Sequence, residues 1–420
     1  MTKTPYLKAA QAAAELGVTV QTLYAYASRG MVRSEPETDG SKSRRYARED
    51  IDRLKQRKEA RSDPDKAASQ SLHWGGPVLE SALTLIDHGA VYYRGRNVAE
   101  LALSCSVEEV AALLWTGEMA QASALFGGKG DSKWGARPMN ALLRRLGNET
   151  DLGPIERCQI ALAWAGAHDL TAYDLRQAAV AATGAKILRL LTAAVAGSNF
   201  ALAVDSALQQ AWAPKRRAVG RALRAALILC ADHELNVSAF AARCVASAAA
   251  TPYDVVSAGL AAMKGARHGG VTIRVDALLQ EAARASKADE AIAARLRRGD
   301  LLPGFGHPLY PEGDPRAEVL LALGEELGNA RAVELVRAIT GSVRKLTGEQ
   351  PNVDFALASL SRALGLPASS ALAIFALGRT IGWIAHAIEQ YRTGELIRPR
   401  ARYTGQLPLA SSTTSKIVGI

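Results

Sequence analysis

Apolar residues recur at helical spacing along most of this chain, and the pattern predicts a nearly all-α body. Alanine- and leucine-rich stretches mark helices at 97–117, 155–166, 174–196, 199–212, 217–230, 236–249, 253–264, 274–285, 316–326, 330–347, 352–364 and 368–391. Strand signals are few: Tyr92-Tyr93 and the tail near 402–408. The front of the chain reads as a separate small unit. Tyr6–Leu16 is a run of good helix formers stopped by Gly17, and Thr19 is placed to cap a second helix through Tyr26. A helix, a glycine turn and a second helix give helix-turn-helix spacing. Gly30-Met31-Val32 and Arg44-Arg45-Tyr46 read as extended arms around a polar loop at 34–43, and 48–60 as a charged helix. The small polar residues after 61 read as a linker.

Composition narrows the class. Apolar residues make up 48% and charged residues 22%, the balance of a globular protein with a sizeable core. No uninterrupted apolar run reaches about 18 residues, so no membrane span is expected. Met1–Tyr6 lacks the apolar centre of a signal peptide, which leads us to expect a cytoplasmic protein. The four cysteines, Cys105, Cys158, Cys230 and Cys244, are widely spaced and read as buried thiols, not as a disulfide framework or metal site. The net charge is +10, suited to nucleic acid or to a phosphorylated or polycarboxylate substrate. Residues 1–61 hold 13 Lys/Arg against 8 Asp/Glu, so half of the excess sits in the front unit.

Three breaks in the helical pattern carry reactive side chains: Arg267-His268-Gly269-Gly270, Gly304-Phe305-Gly306-His307 leading to Asp314-Pro315-Arg316, and Pro351-Asn352-Val353-Asp354. The chain has only seven histidines, and two of them are flanked by glycine. Such a trio can take a proton from carbon and stabilise the oxyanion that forms. Asp354, between Val353 and Phe355, is either a desolvated base or a helix N-cap. Arg379 lies among Phe375, Leu377, Ile381 and Trp383, and a partly buried arginine needs an anion. Arg316 is a second candidate for a carboxylate. His233, between Asp232 and Glu234, is either a helix-end contact or a ligand contact, and Arg243 and Cys244 read as surface and packing.

From residue 73 onward the order of motifs resembles the citrate synthase family. The resemblance runs through Tyr93-Arg94-Gly95, Leu113-Leu114-Trp115-Thr116-Gly117-Glu118 and Asp232-His233-Glu234-Leu235-Asn236-Val237-Ser238. It continues through the three breaks, Gly378-Arg379-Thr380-Ile381-Gly382-Trp383 and Arg398-Pro399-Arg400. It implies a mostly α fold, with a large helical domain from 73–269 and 367–420 and a small helical domain over 270–366. It implies an acyltransferase of the tricarboxylic acid cycle that joins acetyl-CoA to oxaloacetate, with the CoA thioester as substrate and no further cofactor. Asp354 is then the base, His268 the enol stabiliser and His307 the acid toward the oxo acid. His233, Arg316, Arg379 and Arg398 are oxo-acid contacts, Arg398 reaching across a homodimer. A 2-methylcitrate synthase, using propionyl-CoA, would show the same trio. Three places depart from the family pattern: Val271-Thr272-Ile273 replaces Ala-Asn-Glu, Pro308 stands where arginine is usual, and Cys230 stands where the family often has a second histidine before His233.

The front unit resembles the MerR and excisionase class of winged helix-turn-helix modules through Ala12-Ala13, Leu16-Gly17-Val18, Thr22-Leu23-Tyr24, Gly30, Arg45-Tyr46 and Asp50-Ile51. That bounds a module at 1–61 and a linker at 62–72. If it binds DNA, Tyr24, Arg29, Arg44 and Arg45 are the contacts. Against this, residues 11–25 carry a single charge, Glu15, and such modules also serve as protein-contact surfaces. Two readings follow: a condensing enzyme with an accessory module, or a metabolite-sensing regulator with a synthase-like body.

Overall fold

The computed structural model describes residues 6–36, 43–48, 50–52, 54–55, 79–127, 136–149, 151–197, 203–285, 287–401 and 403–406. They fall into two compact units, Met1–Glu80 and Ser81–Ile420.

In the first unit, β1 (Tyr6–Lys8), β2 (Ser34–Pro36) and β3 (Arg44–Ala47) form an antiparallel sheet with β3 in the centre. Helices α1 (Ala9–Leu16) and α2 (Val20–Ser28) pack on it. Gly17, at φ 59°, closes α1 in the left-handed conformation. The Thr19 side chain accepts from Thr22 N–H at 3.2 Å and caps α2. Leu7, Ala12, Ala13, Leu16, Leu23, Val32, Tyr46 and Ile51 make the core. Two sequence expectations are corrected. Tyr6–Lys8 is a strand paired with β3, not the first turn of α1. The first extended arm lies at 34–36, because Gly30 at φ 72° is still turning the chain out of α2.

The second unit opens with an antiparallel sheet of β4 (Thr84–Asp87), β5 (Ala90–Tyr93) and β6 (Arg96–Asn97). Then come α3 (Val98–Ser104), α4 (Val107–Thr116), α5 (Ala122–Phe126), α6 (Ala136–Asn148), α7 (Pro154–His168), α8 (Gln177–Ala196), α9 (Val204–Trp212), α10 (Val219–Leu229), α11 (Val237–Ser247) and α12 (Pro252–Met263). The series closes with α13 (Val271–Arg284), α14 (Ala288–Arg297), α15 (Pro315–Leu327), α16 (Ala330–Thr347), α17 (Val353–Ala363) and α18 (Ser370–Thr393). The predicted helix at 97–117 breaks at Ser106, which caps α4 through a reciprocal bond with Glu109. Helix α6 was not anticipated: Pro138 and Gly147 obscure it, although proline is tolerated in a first turn. No strand forms at 401 or 403–406, and the rest of that predicted tail strand lies outside the described residues.

Helix α18 organises the unit. It is buried along nearly its whole length and packs against α8, α10, α11 and α12. Small residues allow this. A Cβ on Gly378 would come within 2.6 Å of Leu227 O, and one on Gly382 within 2.4 Å of Ala231 O. Facing it, a Cβ on Gly259 of α12 would strike the Trp383 ring at 2.4 Å. Both α8 and α18 are long and apolar enough to cross a membrane, but each is a helix mostly buried inside the protein. Their hydropathy is that of core helices. A second group of helices packs as α15 on α17, α13 on α17 and α14 on α16. Arg243 is another correction: it is buried, and paired with Glu389 at 3.3 Å, instead of lying on the surface.

Candidate active site

The three breaks converge through backbone and cap interactions. The loop carrying His307 is stitched to the segment before Asp354. Gly306 N–H donates to Gln350 O (2.8 Å), Asn352 N–H to Gly304 O (2.9 Å), and Asn352 Nδ2 to Gly306 O (3.1 Å). Phe305 and Phe355 pack with ring centroids 4.5 Å apart. Gly304, at φ 86°, is required here, since a Cβ would meet Phe355 Cβ at 2.7 Å.

Asn352 caps α17, its Oδ1 accepting from Asp354 N–H (3.1 Å) and Phe355 N–H (3.4 Å). The capping role therefore belongs to Asn352, and the Asp354 carboxyl is released from it. Asp354 as a whole is half-buried, but its Oδ1 is shut off from solvent and has no hydrogen-bond partner. Burial pushes its pKa up to about 7, and Arg316 opposes that rise. A carboxylate so placed is a stronger base than one in water.

His268 lies in the turn between α12 and α13. Its Nε2 is 2.7 Å from Ser238 Oγ, and its ring stands edge-on to Phe375. Ser238 is itself held: its hydroxyl lies 2.8 Å from Asn236 Oδ1 and accepts from Trp383 Nε1 at 3.2 Å. Burial, with the Arg379 cation, lowers the His268 pKa to about 4, so the ring is neutral at neutral pH. A neutral imidazole is a directional donor and not a second cation. The flanking glycines serve the protein's own backbone: Cβ atoms there would meet Met263 Cγ at 2.5 Å and Gly265 O at 2.9 Å.

His307 accepts from Leu309 N–H on its Nδ1 (3.2 Å). The proton of the neutral ring therefore sits on Nε2, which makes that nitrogen the ring's donor. Burial and Arg316 both lower its pKa. His233 lies beside it, with ring centroids 5.4 Å apart and nearly perpendicular. His233 is buried and kept neutral by desolvation and by Arg316 and Arg379. Its Nε2 is 2.7 Å from Tyr310 Oη, which answers the helix-end alternative.

The arginines divide. Arg379 is 1% exposed, donates from Nε to Cys230 O (3.0 Å), lies over the Phe375 ring, and has a buried Nη1 without a partner. A buried, half-satisfied guanidinium is an anion site. Arg316 is also buried, but its Nε and Nη2 are spent on Asp314, at 3.0 and 2.8 Å. Asp314 in turn accepts from Val353 N–H (3.0 Å), tying α15 to the first turn of α17. Arg316 therefore acts first as a strut beneath Asp354, and any substrate contact must come from its remaining donors. Arg398 is exposed on the extended segment after α18, and no hydrogen bond or ion pair joins it to the other site residues. All four cysteines are free; Cys158 and Cys230 are buried thiols pushed up to about 12, whereas Cys105 and Cys244 are only half-buried, against the expectation that all four lie inside. Among the described residues no cluster of His, Cys, Asp or Glu has metal-binding form.

In the first unit, Tyr24 is half-exposed and stacks on Tyr46 at 6.4 Å. Arg29 is exposed at the end of α2. Arg44 donates to Ser34 Oγ and O, both at 3.0 Å, and Arg45 pairs with Glu35 at 2.8 Å. Tyr24 and Arg44 line a shared surface cavity of about 820 Å³ with Lys8 and Tyr46.

Sequence reasoning missed Asn352, Ser238, Trp383 and Tyr310. Asn352 was legible as a cap two residues before Asp354. The others act across long separations: Tyr310 and His233 are 77 residues apart, Trp383 and Ser238 145.

A desolvated carboxylate base, two neutral histidine donors and an unsatisfied arginine define an enzyme that forms an enol and adds it to an anionic acceptor. The comparisons agree. Residues 72–400 match the family described as citrate synthase, C-terminal domain, and residues 7–63 match the MerR HTH family regulatory protein. The chain is 32% identical over 334 residues to a citrate synthase of Mycolicibacterium smegmatis, spanning 75% of this chain and 88% of that protein. It is 30% identical to a 2-methylcitrate synthase of Mycobacterium tuberculosis, spanning 74% and 84%. The solved citrate synthase of the archaeon Thermoplasma acidophilum, in ternary complex with carboxymethyl coenzyme A and oxaloacetate, superposes with a TM-score of 0.67 at 25% identity, covering 82% and 98%. The protein belongs to the citrate synthase family.

Proposed function

We propose that this chain condenses acetyl-CoA with oxaloacetate and hydrolyses the resulting thioester to citrate and free CoA. The desolvated Asp354 carboxyl, with its unpartnered Oδ1, carries this reading. Asp354 takes a proton from the acetyl methyl carbon, and His268 donates a hydrogen bond to the enol oxygen. The methylene carbon bonds to the oxaloacetate ketone carbon. His307 Nε2–H protonates the alkoxide as it forms. Water then cleaves the C–S bond of citryl-CoA, releasing citrate and the thiol. Arg379 faces a carboxylate of the acceptor, with His233 beside it. His268 and His307 are pre-placed donors in a water-poor site, where such bonds count most. Arg398 contributes as part of a homodimer, from the neighbouring subunit. The match of residues 7–63 supports DNA as a partner of the front unit, through Tyr24, Arg29 and Arg44.

A second reading, 2-methylcitrate synthesis from propionyl-CoA, is favoured by the mycobacterial relative of that name. Thiol release with oxaloacetate, measured side by side for acetyl- and propionyl-CoA, tests both. We expect the larger kcat/KM with acetyl-CoA; the reverse order would select the second reading. No release with either thioester, while wild type and Asp354→Ala bind oxaloacetate equally, would overturn catalysis and leave a metabolite sensor.

A further inference from the structure

Tyr310 touches three of the groups gathered at this end of the site, His233, His307 and Arg316. Its hydroxyl is 2.7 Å from His233 Nε2. Its ring lies 4.9 Å from that of His307, and the Arg316 guanidinium sits over the Tyr310 ring, 5.5 Å from its centroid. The side chain is 3% exposed. Local backbone bonds place it there: Tyr310 N–H donates to His307 O (3.0 Å), and Gly313 N–H to Tyr310 O (3.1 Å). The loop after His307 therefore folds back beneath its own histidine.

His233 is neutral, so it offers the substrate a directional hydrogen bond and not charge. A neutral donor is useful only while its ring plane is fixed, and the described contacts give the Tyr310 hydroxyl that task. Removing the hydroxyl leaves a buried ring nitrogen unpaired and the ring free to turn.

We infer that Tyr310 is a positioning residue for the 2-oxo acid, holding His233 and His307 as one unit against Arg316 so that the acceptor is recognised by a rigid set of groups. The inference rests on the reading above that oxaloacetate is the acceptor. Its test is Tyr310→Phe in the full chain, which keeps the ring and removes only the hydroxyl. The KM for oxaloacetate should rise roughly tenfold, the loss expected for one buried hydrogen bond, while the KM for acetyl-CoA stays within about twofold. His233→Gln and the double variant complete a cycle. Once His233 is replaced, Tyr310→Phe should cost less than about twofold more, because the two side chains act through one bond. Equal rises in both KM values, or independent losses in the double variant, would overturn the inference. Calorimetric binding of oxaloacetate reads the same coupling without turnover. A chain that binds oxaloacetate but releases no CoA would fail the reaction proposed above, and the cycle would still decide the role of Tyr310.

Discussion

Replacing Asp354 by asparagine tests the site without relying on activity. The carboxyl Oδ1 is shut off from solvent, and desolvation raises the pKa from 3.8 to about 7 in the folded protein. The folded state therefore binds this proton more tightly than the unfolded chain. Below about pH 4 both states are protonated and the group costs nothing. Between about pH 4 and 7 the unfolded chain ionises first, so stability falls as pH rises; above 7 the penalty is complete. A gap of about three units corresponds to about 4 kcal/mol. An unfolding entropy of about 2.1 cal/mol/K per residue over Ser81–Ile420 gives roughly 0.7 kcal/mol/K, so the full penalty is a shift of about 6 °C. Asp354→Asn keeps the shape and removes the charge. Its Tm should match that of wild type near pH 3 and exceed it by up to about 6 °C at pH 8, read by thermal unfolding in a buffer series. Its turnover should fall by about 10²–10⁴, the contribution of a general base. In wild type, kcat/KM for acetyl-CoA should drop tenfold per pH unit below about 7, where the base is protonated, while His268 stays neutral down to about 4. A Tm difference that does not grow with pH, or an asparagine variant less stable at pH 8, would refute the claim that Asp354 is held against its charge.

Two further substitutions examine the supports of the site. Arg379→Gln removes the guanidinium with the partnerless Nη1, and should raise the KM for oxaloacetate by roughly 10–100-fold with little change for acetyl-CoA, as steady-state kinetics would record. An equal effect on both substrates would place Arg379 outside the acceptor site. Gly382→Ala puts a Cβ 2.4 Å from Ala231 O and 2.6 Å from Asp232 Oδ1, and should cost about 1–3 kcal/mol in denaturant unfolding, whereas Gly147→Ala, with no atom within 4 Å, should be neutral or slightly stabilising.

Much of the helical body was legible because alanine and leucine recur at the period of a helix wherever a helix packs. The predicted segment at 330–347 coincides with α16, and those at 352–364 and 368–391 lie within two residues of α17 and α18 at each end. What failed was local and instructive. Tyr6–Lys8 has residues that suit a helix, but pairing with β3 decides for a strand. Helix α6 has an amphipathic stripe but carries proline and glycine at positions that punctuate a sequence. The charge of Arg243 suggested a surface, yet Glu389 receives it in the interior.

For the site, the sequence by itself supplied the reactive groups, their order and their family: His268, His307 and Asp354 stand at breaks in an otherwise regular pattern, and chemistry of this kind needs those side-chain types. It could not say whether Asp354 capped a helix or served as a base, because both roles place an aspartate at the start of a helix. Tertiary structure gave the cap to Asn352 and left Asp354 Oδ1 desolvated and without a partner. It also separated Arg379, with an unspent donor, from Arg316, whose fork is held by Asp314. It brought Tyr310 to His233 and Ser238 to His268. Those assignments depend on distance and desolvation, which arise only when segments far apart in the chain pack together.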